Sequence, residues 1–166
     1  MNNTIENGLI AAILFLIIFI PVYLAVRSSR NKKKRRITHE LHLLEQHHGL
    51  IFHVVDQLDS LAIAIDQLKK IIVKVNLQDY SSELIDLKDI SDCTLDEKRQ
   101  GTSIQLLQLV LWDNNKRPIY CIDFYKQYVD NEGNLKKAGR IAVQWEEMLK
   151  AGIKNRLPVL EVQKSI

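Results

Sequence analysis

Cysteine, proline and glycine are scarce in this sequence, whose 166 residues include two, three and six of them, respectively. So few cysteines exclude a disulfide-rich secreted module, and the low glycine and proline contents exclude a collagen-like repeat. The glycines form neither of the phosphate-binding loops G-x-x-x-x-G-K and G-x-G-x-x-G, and no G-x-S-x-G nucleophile elbow occurs. No local motif therefore indicates a nucleotide-binding enzyme or an α/β-hydrolase.

Charge is absent from residues 9–26, which include no Asp, Glu, Lys, Arg or His. These 18 residues are enough for a helix that crosses a bilayer, because an α-helix rises about 1.5 Å per residue. We therefore predict a transmembrane helix here, which Pro21 bends near its inner end. A transporter that acts alone is excluded, because transport requires charged groups or several helices.

The ten residues that follow the apolar run are strongly basic. Residues 27–36 hold seven positive side chains, namely Arg27, Arg30, Lys32, Lys33, Lys34, Arg35 and Arg36. Positive residues beside a span stay on the cytoplasmic side, so they predict an external N-terminus and a cytoplasmic C-terminal domain in the cell membrane. A cleaved signal peptide is disfavoured, because its basic residues would precede the apolar run. The same basic block is an alternative binding site for anionic lipid.

The remainder of the chain is mildly acidic. Residues 37–166 hold 16 Lys and Arg against 19 Asp and Glu, so the net charge of +3 comes from the basic block. We therefore expect no nucleic-acid partner. The predicted organisation is an outer tail (1–8), a transmembrane helix (9–26), a basic stop-transfer segment (27–36), a linker helix (37–49), a folded domain (50–152) and a tail (153–166).

Hydrophobic periodicity predicts the secondary structure of the second half of the chain. Thr38 is expected to cap the linker helix and Gly49 to end it. Short runs that alternate with a period of two then predict strands with one buried face, at 52–55, 61–65, 71–77, 83–87, 92–98, 103–112 and 117–126. An amphipathic C-terminal helix, which Gly152 is expected to end, is predicted from apolar residues at spacings of three and four: Leu135, Ala138, Ala142, Trp145 and Leu149.

The strands of residues 61–126, followed by a helix with Trp145, resemble the pleckstrin-homology-like fold as bacteria use it. The anchor-then-domain layout is similar to that of small single-pass bacterial membrane proteins. The resemblance implies an α+β, mainly β domain, in which six or seven antiparallel strands, arranged in two nearly orthogonal sheets, form a barrel or sheet that a C-terminal helix caps. It covers about residues 50–152 and rests on architecture alone. Some members bind phosphoinositides through a basic first loop, but residues 56–60 are acidic here, so no site residue is carried over.

The tetrapeptide His39-Glu40-Leu41-His42 is similar to the zinc motif H-E-x-x-H. That motif requires two histidines four residues apart, on one helical face, whereas these two are three apart. We therefore interpret them, with His47 and His48, as exposed polar residues of the linker helix. No metal and no cofactor is predicted.

The other chemically reactive residue types form no recognisable set. Cys93 and Cys121 are isolated in predicted strands, where a free cysteine behaves as a small apolar residue. Trp112 and Trp145 are interpreted as core residues. Six acidic residues recur at intervals of three or four without the pattern of a calcium loop, and we interpret them as the solvent face of strands: Asp79, Glu83, Asp86, Asp89, Asp92 and Asp96.

These features together predict a non-catalytic module at the cytoplasmic face of the cell membrane. One transmembrane helix would hold it in the bilayer, and its folded domain would bind an unidentified protein or act as a scaffold. Two alternatives stay open. One is an enzyme at the membrane surface whose site no local motif reveals. The other is a module that binds anionic lipid through residues 27–36.

Overall fold

The computed structural model describes the backbone of residues 3–154, with the side chains of residues 15–24 and 35–154. Residues 155–166 of the predicted C-terminal tail therefore lie outside the described residues. The chain divides into two compact units, Met1–Gly49 and Leu50–Ile166.

The first unit is built on one helix, α1 (Asn3–His48). α1 runs without a break through the segments predicted as a membrane helix, a basic segment and a linker helix, so the separate helix start predicted at Thr38 is wrong. Thr38 lies inside α1 and does not cap a new helix, since the Lys and Arg residues before it are good helix formers. Gly49 ends the helix as predicted, with a φ of +61° that glycine adopts without a Cβ clash.

The prediction of a transmembrane helix at residues 9–26 is also wrong. In the part of the chain that the structure describes, no helix combines the length and the apolar character that a membrane crossing requires. The described side chains of this segment belong to residues 15–24.

The second unit begins with a four-stranded antiparallel sheet, sheet A. Its strands follow chain order and are β1 (Val54–Gln57), β2 (Leu61–Asp66), β3 (Ile71–Asn76) and β4 (Ser82–Asp86). Isoleucine and valine dominate β2 and β3, because their branched side chains pack well on a pleated surface. A short 3₁₀ helix, Leu87–Asp89, leads out of the sheet.

The next three strands form sheet B, which is also antiparallel and in chain order. They are β5 (Asp92–Gln100), β6 (Ser103–Trp112) and β7 (Pro118–Lys126). Gly101, with a φ of +60°, makes the tight turn between β5 and β6. Asp113 closes the turn between β6 and β7, because its side chain accepts bonds from the backbone N–H groups of Asn115 and Arg117, both 2.8 Å.

A 3₁₀ turn, Glu132–Asn134, leads into the last helix, α2 (Leu135–Lys154). Its buried face consists of Ala138, Ile141, Ala142, Trp145 and Leu149, which includes four of the five residues that define the predicted stripe. The helix packs mainly on β5 and β7. Gly152 does not end it, contrary to the prediction, and two further residues are helical.

The predicted barrel is wrong, because the seven strands of the described residues form two separate sheets. No ladder joins β4 to β5, and the 3₁₀ turn between them redirects the chain before β5 begins. The fold is therefore α+β, with two open sheets and α2 around one core. That core includes Ile63, Ile85, Leu109 and Trp145. The Trp145 Nε1–H also donates to Asp56 Oδ2 (2.9 Å), which links α2 to β1.

Candidate functional site

A cavity of about 320 Å³ lies beside the last turns of α2, and we call it the α2-end cavity. From α2 it is lined by Met148, Leu149, Ala151, Gly152 and Ile153. From sheet A and its connections it is lined by Ile65, Gln67, Lys70 and Leu87. Seven of these nine residues have no nitrogen or oxygen in the side chain, so the cavity is predominantly apolar.

Small residues at the end of α2 keep the cavity open. A Cβ atom placed on Gly152 would meet no atom within 4 Å. Ala151, beside it, adds a single methyl group to the lining. Ala151 and Gly152 therefore leave space beside α2 that larger side chains at these two positions could occupy.

The buried carboxylate of Asp66 shapes the turn between β2 and β3 at the opposite wall. Its Oδ1 accepts bonds from the N–H groups of Leu68 and Lys69, and its Oδ2 from that of Ile51, all 2.9 Å. Burial raises the pKa of Asp66, but the bonds from Lys69, Ile51 and Leu68 outweigh it, so the pKa lies below its ordinary value of 3.8. This turn is consequently fixed by an ionised group that is 1% exposed.

Lys70 follows this turn and supplies the only charged side chain among the described lining residues. Its backbone has a φ of 60°, and its carbonyl accepts a bond from the Leu87 N–H (2.8 Å). The side chain is partly buried, and none of the described residues forms an ion pair with it. No ion pair with a described residue would therefore have to break before this side chain met an anion.

Gln67 is the second polar group of the lining. Its Nε2 lies 3.9 Å from Met148 Sδ, a weak hydrogen bond that joins the β2–β3 turn to α2. Because sulfur is a weak acceptor, this amide can be drawn to a better one at little cost. The described lining of the cavity therefore includes one positive side chain, that of Lys70, and one amide donor, that of Gln67, whose present hydrogen bond is weak. The rest of this lining is apolar.

A second, polar cleft of about 210 Å³ lies between sheet A and β7. Its Lys74 is engaged by Glu83, whose Oε2 is 2.8 Å from Nζ, and also donates to the Cys121 carbonyl at 3.4 Å. Beyond β7, Tyr128 is 91% exposed and has a φ of 68°. Lys74 is thus already engaged by protein groups, whereas Lys70 of the α2-end cavity forms no ion pair with the described residues. We therefore regard the α2-end cavity as the stronger candidate.

The basic block predicted as the topology signal is described only in part. The side chains of Arg27, Arg30, Lys32, Lys33 and Lys34 lie outside the described residues. Arg35 and Arg36 are exposed on α1. The role assigned to these seven residues stays a prediction.

The histidines of the zinc-like tetrapeptide lie on α1, with His47 and His48 at its end. Within residues 15–24 and 35–154, no three His, Cys, Asp or Glu side chains are grouped so that they could hold a metal ion. The rings of His47 and His48 are in edge contact, with centroids 4.7 Å apart. The structure thus places these residues along one helix.

The two cysteines have different environments. Cys93 is fully buried, and burial raises the pKa of its thiol to about 12. Its Sγ lies 3.6 Å from the carbonyl oxygen of Glu146. Cys121 is exposed on β7, so the interpretation of both cysteines as strand residues fits their positions, but only Cys93 belongs to the core.

The acidic residues are not brought together, and several of them have local structural roles. Asp79 accepts bonds from the N–H and Oγ of Ser81, and Asp86 caps the 3₁₀ turn through the Lys88 N–H. Asp96 accepts a bond from Gln108 Nε2 (2.9 Å). Both tryptophans serve the fold, since Trp145 is 1% exposed and Trp112 Nε1 donates to Thr94 Oγ1 (2.8 Å).

The cavity residues were not predicted as a site, because Lys70, Leu87 and Met148 are distant in sequence and share no motif. One signal was present in the sequence. Ala151 and Gly152 are two adjacent small residues near the end of an amphipathic helix, and they follow the large residues Met148 and Leu149. The sequence indicates a helix stop at Gly152, whereas in the structure this residue leaves space beside a helix that continues.

Comparison with known proteins assigns the chain to no group. No protein-family model matches it, and no match is found among curated proteins or solved structures. The resemblance to the pleckstrin-homology-like fold is neither supported nor contradicted by these comparisons and stays a prediction. The function must therefore be inferred from the molecule's own residues.

Proposed function

We propose that the chain is a non-catalytic binding module at the cytoplasmic face of the cell membrane. The observation that carries this proposal is the α2-end cavity, which has a mostly apolar lining and two polar side chains among its described lining residues. Binding sites for small molecules are typically concave and mostly apolar, with a few polar groups that orient the ligand. The basic residues 27–36 support the membrane location, because such a block is attracted to the anionic lipids of the cytoplasmic leaflet.

The groups with a perturbed pKa support a binding role over a catalytic one, because several of them hold the fold together. The pKa of Glu146 is lowered by its bond to Lys150 Nζ (2.7 Å), and the same carboxylate accepts the N–H of Leu95 on β5. Asp66 fixes the β2–β3 turn, and the Cys93 thiol is buried. An enzyme commonly places such groups in its cleft. In the described lining of the α2-end cavity, the charged group is Lys70 alone.

A methionine probe tests binding at this cavity directly. The chain has two methionines, Met1 and Met148, and Met148 lines the cavity. The full chain, labelled with ¹³C at the methionine methyl groups and held in zwitterionic lipid nanodiscs, is titrated with 1-octanol. We expect a saturable shift of the Met148 signal, with the Met1 signal as internal reference.

Two glycine variants control for partition of octanol into the lipid. Gly152→Leu fills the cavity, whereas Gly139→Leu makes the same change on α2 outside the cavity lining, again with no atom within 4 Å of the new Cβ. We expect Gly152→Leu to abolish the saturable shift and Gly139→Leu to retain it. A shift that is absent from the unchanged chain, or equal in both variants, would show that the cavity is not a binding site.

Cell fractionation tests the proposed location. We expect the full chain in the membrane fraction, and we expect a chain that lacks residues 1–36 to leave that fraction. Protease added outside intact cells should not cleave the second unit. Recovery of the full chain in the soluble fraction, or cleavage of that unit from outside, would contradict the proposal.

A further inference from the structure

We propose that the α2-end cavity binds an anionic amphiphile, a medium-chain carboxylate whose acyl chain enters the apolar space and whose head group meets Lys70. This inference rests on the proposed function, because it names the ligand class of the same cavity. Three features of the cavity lead to this inference. They are its size, its shortage of polar groups that could bind a peptide backbone, and Lys70, which forms no ion pair with the described residues.

The size of the cavity favours a small ligand. Its volume of about 320 Å³ lies at the lower end of the roughly 300–1,000 Å³ that is usual for ligand pockets. Apolar side chains of α2 and sheet A provide most of the wall. An unbranched acyl chain needs no hydrogen-bond partner in such a space and gains from burial of each methylene group.

The shortage of polar groups disfavours a peptide segment as the occupant. Each peptide unit brings an N–H and a carbonyl group, and burial of these groups without partners is costly. Among the described lining residues, only Gln67 and Lys70 have polar side chains. Two polar side chains can pair with one carboxylate. They cannot pair with all the N–H and carbonyl groups of an extended peptide segment.

The polar end of the cavity has the charge and the rigidity that a carboxylate requires. Lys70 is partly buried and unpaired among the described residues, and the Leu87 N–H holds its backbone in place. The negative charge nearest in sequence belongs to Asp66, whose oxygens are already occupied by three backbone N–H groups. A carboxylate at Lys70 would therefore form a charge-assisted bond without first breaking an ion pair. Gln67, which also lines the cavity, is a second donor.

The test compares carboxylates with alcohols of equal chain length, using the Met148 methyl signal of the full chain. Hexanoate, octanoate and decanoate are titrated beside 1-hexanol, 1-octanol and 1-decanol. We expect each added methylene group to tighten binding roughly fourfold until the cavity is full. We expect each carboxylate to bind about tenfold more tightly than its matched alcohol.

Two lysine variants identify the head-group contact. Lys70→Met removes the ammonium group and should abolish the preference for carboxylate while it leaves alcohol binding unchanged. Lys69→Met makes the same change of net charge at the neighbouring residue, which does not line the cavity, and should retain the preference. The comparison of acids with alcohols on the unchanged chain is independent of how either variant folds.

The outcomes separate this inference from the proposed function. If alcohols and carboxylates bind equally, or if Lys69→Met abolishes the preference as fully as Lys70→Met, the head-group assignment is overturned and binding at the cavity stands. If neither ligand class shifts the Met148 signal, both proposals fall. If ligands bind only after residues 155–166 are deleted, the cavity belongs to the chain's own C-terminal segment and the carboxylate proposal is overturned.

Discussion

Replacement of Asp66 by asparagine is expected to destabilise the second unit strongly. The carboxylate accepts three backbone N–H groups at 2.9 Å, of which Oδ1 receives two and Oδ2 receives that of Ile51. In Asp66→Asn the amide oxygen can keep the two bonds of the turn. The amide nitrogen would then face the Ile51 N–H, donor against donor, and the negative charge is lost.

The expected cost follows from these contacts. A hydrogen bond to a charged group contributes about 1.5–3 kcal/mol, and a buried donor left without a partner costs about 1–3 kcal/mol. Since Asp66 is 1% exposed, water can replace little of what is lost. We therefore expect the free energy of unfolding to fall by about 2–3 kcal/mol at pH 7. Urea unfolding, followed by the fluorescence of the buried Trp145, measures this change.

The pH dependence of the same variant provides a second measurement. The pKa of Asp66 is lowered by its backbone bonds, so the folded chain holds this proton less tightly than the unfolded chain does. The stabilisation is therefore complete above the ordinary value of 3.8 and is lost as the pH falls through the lower pKa of the folded state. The difference in the free energy of unfolding between the unchanged chain and Asp66→Asn should therefore become smaller at about pH 3 and below.

A matched variant shows whether the effect is specific to a buried carboxylate. Asp79 also accepts bonds across a tight turn, from the N–H and Oγ of Ser81, but this turn is exposed. Asp79→Asn keeps an oxygen that can accept these bonds, and the site is exposed to water. The urea midpoint of this variant should therefore stay close to that of the unchanged chain. Equal midpoints for Asp66→Asn and the unchanged chain at pH 7 would refute the role assigned to Asp66.

Three further predictions concern α2 and the cysteines. Trp145→Phe loses the bond to Asp56 and part of a buried ring, and urea unfolding should show a loss of about 2–3 kcal/mol; an unchanged midpoint would contradict the contact. Gly139→Ala and Gly152→Ala should each stabilise the chain by up to about 1 kcal/mol in thermal unfolding, because alanine favours helix and both positions have free space; destabilisation at either would show that the space is absent. A disulfide reagent at pH 8 should modify Cys121 quickly and Cys93 only on unfolding, since the Cys93 thiol is buried with a pKa of about 12; fast reaction of two thiols in the folded chain would contradict this.

Local patterns predicted the positions of most elements well. The period of two placed strands at 61–65 and 103–112, where the structure has Leu61–Asp66 and Ser103–Trp112. This succeeds because side chains of a strand alternate between faces, so one buried face leaves a direct mark on the sequence. The first strand was placed two residues too early, since its short alternation extends into the preceding loop.

Helix boundaries were predicted less well, because a residue that favours a helix end competes with neighbours that favour a continuous helix. Thr38 has a capping side chain and Gly152 lacks a Cβ, yet both lie within helices. A cap residue ends or begins a helix only where the adjacent backbone leaves helical geometry. Between Asn3 and His48, the strong helix formers around Thr38 outweigh its capping tendency.

The sequence by itself determined which residues form strands, which face of α2 is buried and where the charge of the chain is concentrated. These properties depend on neighbours within a few positions, so periodicity and composition record them. Only the tertiary structure decided that the seven strands form two open sheets, because pairing between β4 and β5 depends on the direction of the turn that joins them. It also decided that Lys70, Leu87, Met148 and Gly152 meet around one cavity. A cavity is the space that packing leaves between distant segments, and no local pattern encodes it.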